Sequence, residues 1–170
     1  MLIVGWIYCS AQSVLGIPFG SSYDETFSRL VNRYGYSTVH NDSGTIELDN
    51  FLMGGFEFHI GTLSFQFDQN RSYLNAASFQ RWYELSDVAR AKSDRDFLYS
   101  LLKDKYDGDA KEFTNEDGFK CYKFGTDPKD PSKWFGVIYL CKGKGKDSKE
   151  RYYLFLDYGP IYYLDKGSDF

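Results

Sequence analysis

Apolar side chains recur at Tyr23, Phe27, Leu30, Val31 and Tyr34, the spacing of one face of a helix. The stretch opens on a capping box, Ser22 followed three residues later by Glu25, and Gly35 closes it. Beyond Gly35 the period changes. Residues 36–40, 45–53, 56–67 and 72–85 read as strands, divided by turn residues at 41–44, at the pair Gly54 and Gly55, and at 68–71. In the third of these, Phe56, Phe58 and Ile60 share one face while Glu57, His59 and Gly61 share the other; further on, Leu63, Phe65 and Phe67 take the apolar phase. That slip predicts a β-bulge at Gly61 and Thr62.

The same order then returns. Ser93 and Asp96 repeat the box, and Asp94, Leu98, Leu101 and Leu102 stand 71 positions after Tyr23, Phe27, Leu30 and Val31. Val88 and Ala89 extend the apolar pattern backwards, which leaves the start of this second helix open between Ser86 and Ser93, with its end at Lys105. Strand-like runs follow at 109–114, 119–124, 134–142 and 150–160. Asn115 and Gly118 echo Asn41 and Gly44, and Arg151 and Leu154 echo Arg71 and Leu74. The pattern predicts an α+β fold made of tandem αββββ repeats, residues 12–85 and 86–170. Side by side, the repeats form one curved antiparallel sheet with two helices packed on one face.

This layout resembles the β-lactamase-inhibitor-protein fold group and its envelope relatives. Residues 15–21, from Leu15 through Pro18 to Ser21, are similar to the segment leading into the first helix of small bacterial envelope proteins of the outer-membrane-assembly lipoprotein type. The resemblance covers residues 16–163 as architecture and implies a protein-binding surface.

Composition sharpens this picture at two points. Aromatic residues make up 19% of the chain, with 15 Tyr and 15 Phe, more than a solvated sheet face needs. The formal charge of −4 gives no global attraction to nucleic acid or to an anionic membrane. The first eleven residues read as a signal-peptide remnant: 2–8 form a short apolar core, and Cys9, Ser10 and Ala11 before Gln12 fit a cleavage site. The basic start of such a leader is missing, and the alternative is a first strand over 2–8. The segment is too short to cross a bilayer. Cleavage after Ala11 places the protein in the periplasm or outside a bacterial cell. It also leaves Cys121 and Cys141, on neighbouring strands. With Phe124 opposite Trp134, Cys121 faces Val137 and Cys141 lies four residues along, so two buried free thiols are expected.

Chemistry-bearing motifs are sparse. His40 and His59 are the only histidines, and no acidic or thiol residue stands near them at metal-ligand spacing. No Gly-x-Ser-x-Gly elbow occurs, and Gly54, Gly55, Gly143 and Gly145 fall between strands rather than between a strand and a helix, so no cofactor and no metal is expected. Three functions follow, in order. The first is an exported, non-enzymatic binding or inhibitor-like protein whose open sheet face carries Trp82, Tyr83, Tyr152, Tyr153 and His59 and meets a protein or envelope component, or a second copy of the chain as a homodimer. The second is a small hydrolase built around His59 or His40. The third is nucleic-acid binding through the basic run 142–151, which the acidic balance and the interrupting Asp147 and Glu150 argue against.

Overall fold

The computed structural model describes residues 12–106 and 110–163, so the expected leader and its cleavage site lie outside the described residues. Strands β1 (Ser13–Val14) and β2 (Ile17–Pro18) form a small hairpin. Helix α1 (Tyr23–Tyr34) follows, then β3 (Val39–Asp42), β4 (Thr45–Met53), β5 (Phe56–Asp68) and β6 (Arg71–Tyr83). A 3-10 turn at Leu85–Asp87 leads into α2 (Val88–Lys105), followed by β7 (Ala110–Thr114), β8 (Lys120–Thr126), β9 (Trp134–Lys144) and β10 (Glu150–Tyr158). Eight strands make one antiparallel sheet in the order β3-β4-β5-β6-β10-β9-β8-β7. The last strand of each helix-plus-four-strand run therefore meets its counterpart at the centre, with Leu156 opposite Phe79 and Tyr153 opposite Trp82.

Local chemistry accounts for both helices. Ser22 Oγ accepts the Glu25 amide at 3.3 Å, and the Tyr23 amide donates to Ser72 Oγ at 2.7 Å, so the cap also ties α1 to β6. At the other end Gly35 takes φ 82°, a left-handed conformation suited to glycine, and returns its amide to Val31. In α2 the helix runs straight through the second box. Ala91, Arg95, Leu98 and Leu102 form one buried stripe, and burying Ala91 two turns before Leu98 carries the helix back past Ser93 to Val88. The start is thus the earlier of the two that the sequence left open.

Both helices and the β1–β2 hairpin cover the same face of the sheet. Between them and the sheet lie Leu30, Leu48, Phe58, Leu74, Phe79, Phe124, Ile138, Leu140, Leu154 and Leu156, all essentially inaccessible. Phe79 sits at the middle of this layer, its ring 5.5 Å from Phe51, 5.6 Å from Phe58 and 6.2 Å from Tyr158. These contacts join the two halves of the sheet across the β6–β10 pair.

Three local expectations are corrected. The phase change in β5 comes earlier than Gly61, between Phe58 and Gly61, and without a register shift against β4: Asp49 pairs with Ile60 and Phe51 with Phe58, and Asn50, at φ 47°, stands between them opposite His59. Ile60 is consequently exposed, whereas Gly61 is buried where an added Cβ would stand 2.8 Å from the Phe51 ring. The register shift of β5 falls against β6, between Ser64 and Phe65, where Asn75 has no partner residue. The first strand of the first run begins at Val39, not at residue 36; Tyr36 stays outside it, with its ring 6.4 Å from Phe27. Finally, Phe124 pairs with Gly136 rather than Trp134, which sets Tyr122 opposite Ile138 and brings Cys141 two residues closer to Cys121 than the sequence suggested. Both thiols are free, but only Cys121 is fully buried.

Candidate functional site

Strand alternation around the central pair decides which side chains face away from the helices. On β10, Leu154, Leu156 and Tyr158 point into the core, so Arg151, Tyr153, Phe155 and Asp157 point outward. On β6, Ala77 and Phe79 are buried, which turns Ser78, Gln80 and Trp82 to the same open face. From β9 come Tyr139, Cys141 and Gly143, the register partners of Phe155, Tyr153 and Arg151.

Part of this face is a groove of about 520 Å³ whose floor and walls include Ile60, Trp82, Cys141, Arg151, Tyr153 and Phe155. Trp82, 38% exposed, is held on two sides: the Arg151 guanidinium carbon lies 4.6 Å from its ring centre, and the His59 ring lies 4.7 Å away. Arg151 is fixed in turn by Asp147, with Nη1 donating to Oδ1 at 2.9 Å and Nη2 to Oδ2 at 2.7 Å, and it reaches Glu84 Oε1 at 3.4 Å. Gly145 makes this geometry possible. A Cβ there would sit 2.8 Å from Arg151 Nη1 and from Asp147 Oδ1, and 2.9 Å from the Tyr153 hydroxyl. Deeper along the face, Phe155 stacks on Tyr139 at 4.9 Å and approaches Tyr153 at 6.3 Å.

The electrostatics suit binding better than reaction. His59 Nδ1 accepts the Trp82 amide at 3.1 Å, and burial together with the nearby Arg81 lowers its pKa against a smaller opposing effect of Glu57. Burial raises both thiols, so neither is poised as a nucleophile at neutral pH. Asp157 is raised by burial, partly offset by hydrogen bonds from Ser78, whose hydroxyl stands 2.5 Å from Oδ1, and from Tyr139. On the rim, Lys144 and Lys146 have no carboxylate within ion-pair distance among the described residues, while Lys142 pairs with Glu150 at 3.1 Å.

The structure brings Trp82, Tyr153 and His59 together and separates them from Tyr83 and Tyr152. Tyr83 is buried on the helix face and donates to Asp94 Oδ2 on α2 at 2.7 Å. Tyr152 is on that side as well, edge-on to Phe119 at 5.6 Å. His40 stands near the sheet edge with Nε2 3.2 Å from Asp49 Oδ2, both exposed. No group of three or more metal-ligating side chains exists among the described residues. Ile60, Tyr139 and Phe155 were not singled out for this face by the sequence; for Tyr139 and Phe155 the alternation along β9 and β10 was the available signal, whereas Ile60 reaches it only because the alternation of β5 slips between Phe58 and Gly61.

Compared with protein-family models, with curated proteins and with solved structures, the chain matches none.

Proposed function

We propose that this is an exported, non-enzymatic binding protein that acts, in the manner of an inhibitor, by seating a segment of a partner protein in the groove on its open sheet face. The observation that carries this reading is the Trp82 platform: an exposed indole fixed between Arg151 and His59, beside Tyr153 and Phe155, on a face that no element of the described chain covers. Trp, Tyr and Arg in a concave setting are the residues that anchor protein interfaces. The partner segment brings an apolar side chain to the floor and carboxylates to the rim, because Lys144 and Lys146 present unpaired positive charge there. Export rests on the leader pattern of residues 1–11, and the resemblance in element order to inhibitor-type repeat proteins points the same way.

The test is site-specific photocrosslinking in the producing cell, with the crosslinker at Gln80 in the groove or at Leu101 on the helix-bearing face. The reading expects one discrete protein adduct from Gln80 that disappears in Trp82→Ala and Tyr153→Ala and is absent from Leu101. No adduct, equal adducts from both faces, or a Gln80 adduct unaffected by either substitution overturns it.

A further inference from the structure

On the helix-bearing face, opposite the groove, the β1–β2 hairpin and the C-terminal turns of α1 and α2 enclose a second concavity of about 260 Å³. Its walls are apolar: Val14, Met53, Leu98, Leu102 and Leu156 among them. Among the described residues, the charged ones that line it are Arg33 and Lys105, and no Asp or Glu does.

Neither cation has a counter-ion among the described residues. Arg33 donates from Nη1 to the Leu15 carbonyl at 3.1 Å and lies over the Tyr34 ring, and the Lys105 ammonium lies 5.4 Å from the Tyr106 ring centre. Burial beside the apolar wall lowers the Lys105 pKa, the direction expected of an ammonium partly withdrawn from water without an anion to offset it. Both residues stand in the last turn of their helices, where a cation offsets the helix dipole. That role places a charge at each helix end; it does not bring two onto one apolar pocket that no carboxylate of the described residues lines.

We infer that this pocket is a binding site for a small amphipathic carboxylate, a medium-chain fatty acid in chemical class. Its alkyl tail lies against Leu98, Leu102 and Leu156, and its carboxylate meets Arg33 and Lys105 at the mouth. At roughly 30 Å³ per water-sized group, the space holds about eight such groups, which sets octanoate as the probe. The tail supplies affinity through burial of its methylenes, and the two cations discriminate against neutral and cationic chains of equal length. The site is independent of the groove at Trp82.

The experiment is calorimetric titration of the protein with octanoate, octanol and octylamine. Saturable octanoate binding at one site is expected, at least tenfold tighter than octanol, with no binding of octylamine. The double variant Arg33→Gln with Lys105→Met loses at least tenfold in octanoate affinity while its octanol affinity stays unchanged, and Leu98→Phe, which narrows the pocket, weakens both. Should the double variant melt non-cooperatively, the single substitution Lys105→Met on the exposed end of α2 serves instead, with a threefold or greater loss expected. Absence of octanoate binding at millimolar concentration, equal binding of all three chains, or octanoate affinity unchanged by removing the charges overturns the assignment. In Trp82→Ala, octanoate binding persists, so failure of the groove reading leaves this one standing, and the reverse.

Discussion

Trp82 and Tyr153 stand directly opposite each other across the seam where β6 pairs with β10, one from each half of the chain, and both side chains face away from the helices. The platform therefore exists only when the two halves are joined in this register. A slip of one residue would turn Trp82 toward the core and Tyr83 outward.

The support under Trp82 is testable through Gly145. Gly145→Ala forces Arg151, Asp147 or the Tyr153 hydroxyl to move, since all three lie within 2.9 Å of the new methyl group. The expected result is a small loss of stability, about 0.5–1.5 kcal/mol, and a change in Trp82 fluorescence as the guanidinium leaves the indole. A spectrum and melting curve identical to those of the parent chain would show that the Arg151 stack does not depend on this glycine.

Gly136 tests the core. A Cβ there meets the Phe124 ring and lies 2.9 Å from the Asp157 carbonyl oxygen, which belongs to the neighbouring strand and cannot swing aside. Gly136→Ala is expected to cost about 1–3 kcal/mol in chemical denaturation. Phe79→Ala, which empties the space among Phe51, Phe58 and Tyr158, costs more, about 3–5 kcal/mol.

His59 gives a pH signature. Its pKa is lowered in the folded chain, so the neutral form is favoured there; the stability it contributes is present above the ordinary histidine value of 6.5 and is lost as pH falls through the folded value. Protonation also removes the acceptor of the Trp82 amide. Melting temperatures measured between pH 7.5 and 5 should fall more steeply for the parent than for His59→Gln. Parallel curves would remove His59 from this role.

Asp157 acts with the opposite sign. Burial raises its carboxyl, so the folded state favours the protonated form, and that advantage is lost as pH rises from the ordinary value of 3.8 through the folded one. Asp157→Asn is therefore expected to gain stability at pH 7 relative to the parent and to gain nothing at pH 3. The contacts from Ser78 and Tyr139 limit the gain, and a net loss at pH 7 would show that those two hydrogen bonds outweigh the burial.

The thiols should be chemically distinct. Cys141 lines the groove and is partly exposed, whereas Cys121 is fully buried and its thiol lies 3.4 Å from the Phe119 carbonyl oxygen. A thiol reagent at neutral pH modifies Cys141 slowly and Cys121 only in denaturant. Equal rates in the native protein would contradict this burial.

Much of the fold was legible because period and turn chemistry agree. The cap at Ser22, the left-handed Gly35 and the alternation through β9 and β10 each announce their own element. What stayed illegible is relational. Nothing near Gly61 shows that the bulge lies further on, between Ser64 and Phe65 with Asn75 of β6 as the unpartnered residue, because a bulge is a property of a pair of strands. The same reason hid the β8–β9 register and hence the placement of the cysteines. Of the residues put forward for the open face, Tyr83 and Tyr152 failed by strand parity alone: each is adjacent to a residue that does face outward. Arg151 was read as part of a basic run, and its pairing with Asp147 inside the hairpin is what turns it from surface charge into the support of Trp82.

The meeting of β6 and β10 also governs how the molecule is made. Between Tyr83 and Glu150, the nearest ends of the two strands, lie 66 residues of chain, and α2 with three further strands must be synthesised there. Until β10 emerges, β6 is a thirteen-residue edge with unpaired amides and carbonyls that carries Phe79 and Trp82, whereas the outer edges of the finished sheet are the short, largely polar strands β3 and β7. The nascent first half is thus a template for strand addition by any passing chain, including another copy of itself. Chains truncated before Glu150 should be the aggregation-prone species during production, and a chaperone or a slow exit from the ribosome would matter at that interval more than at any other.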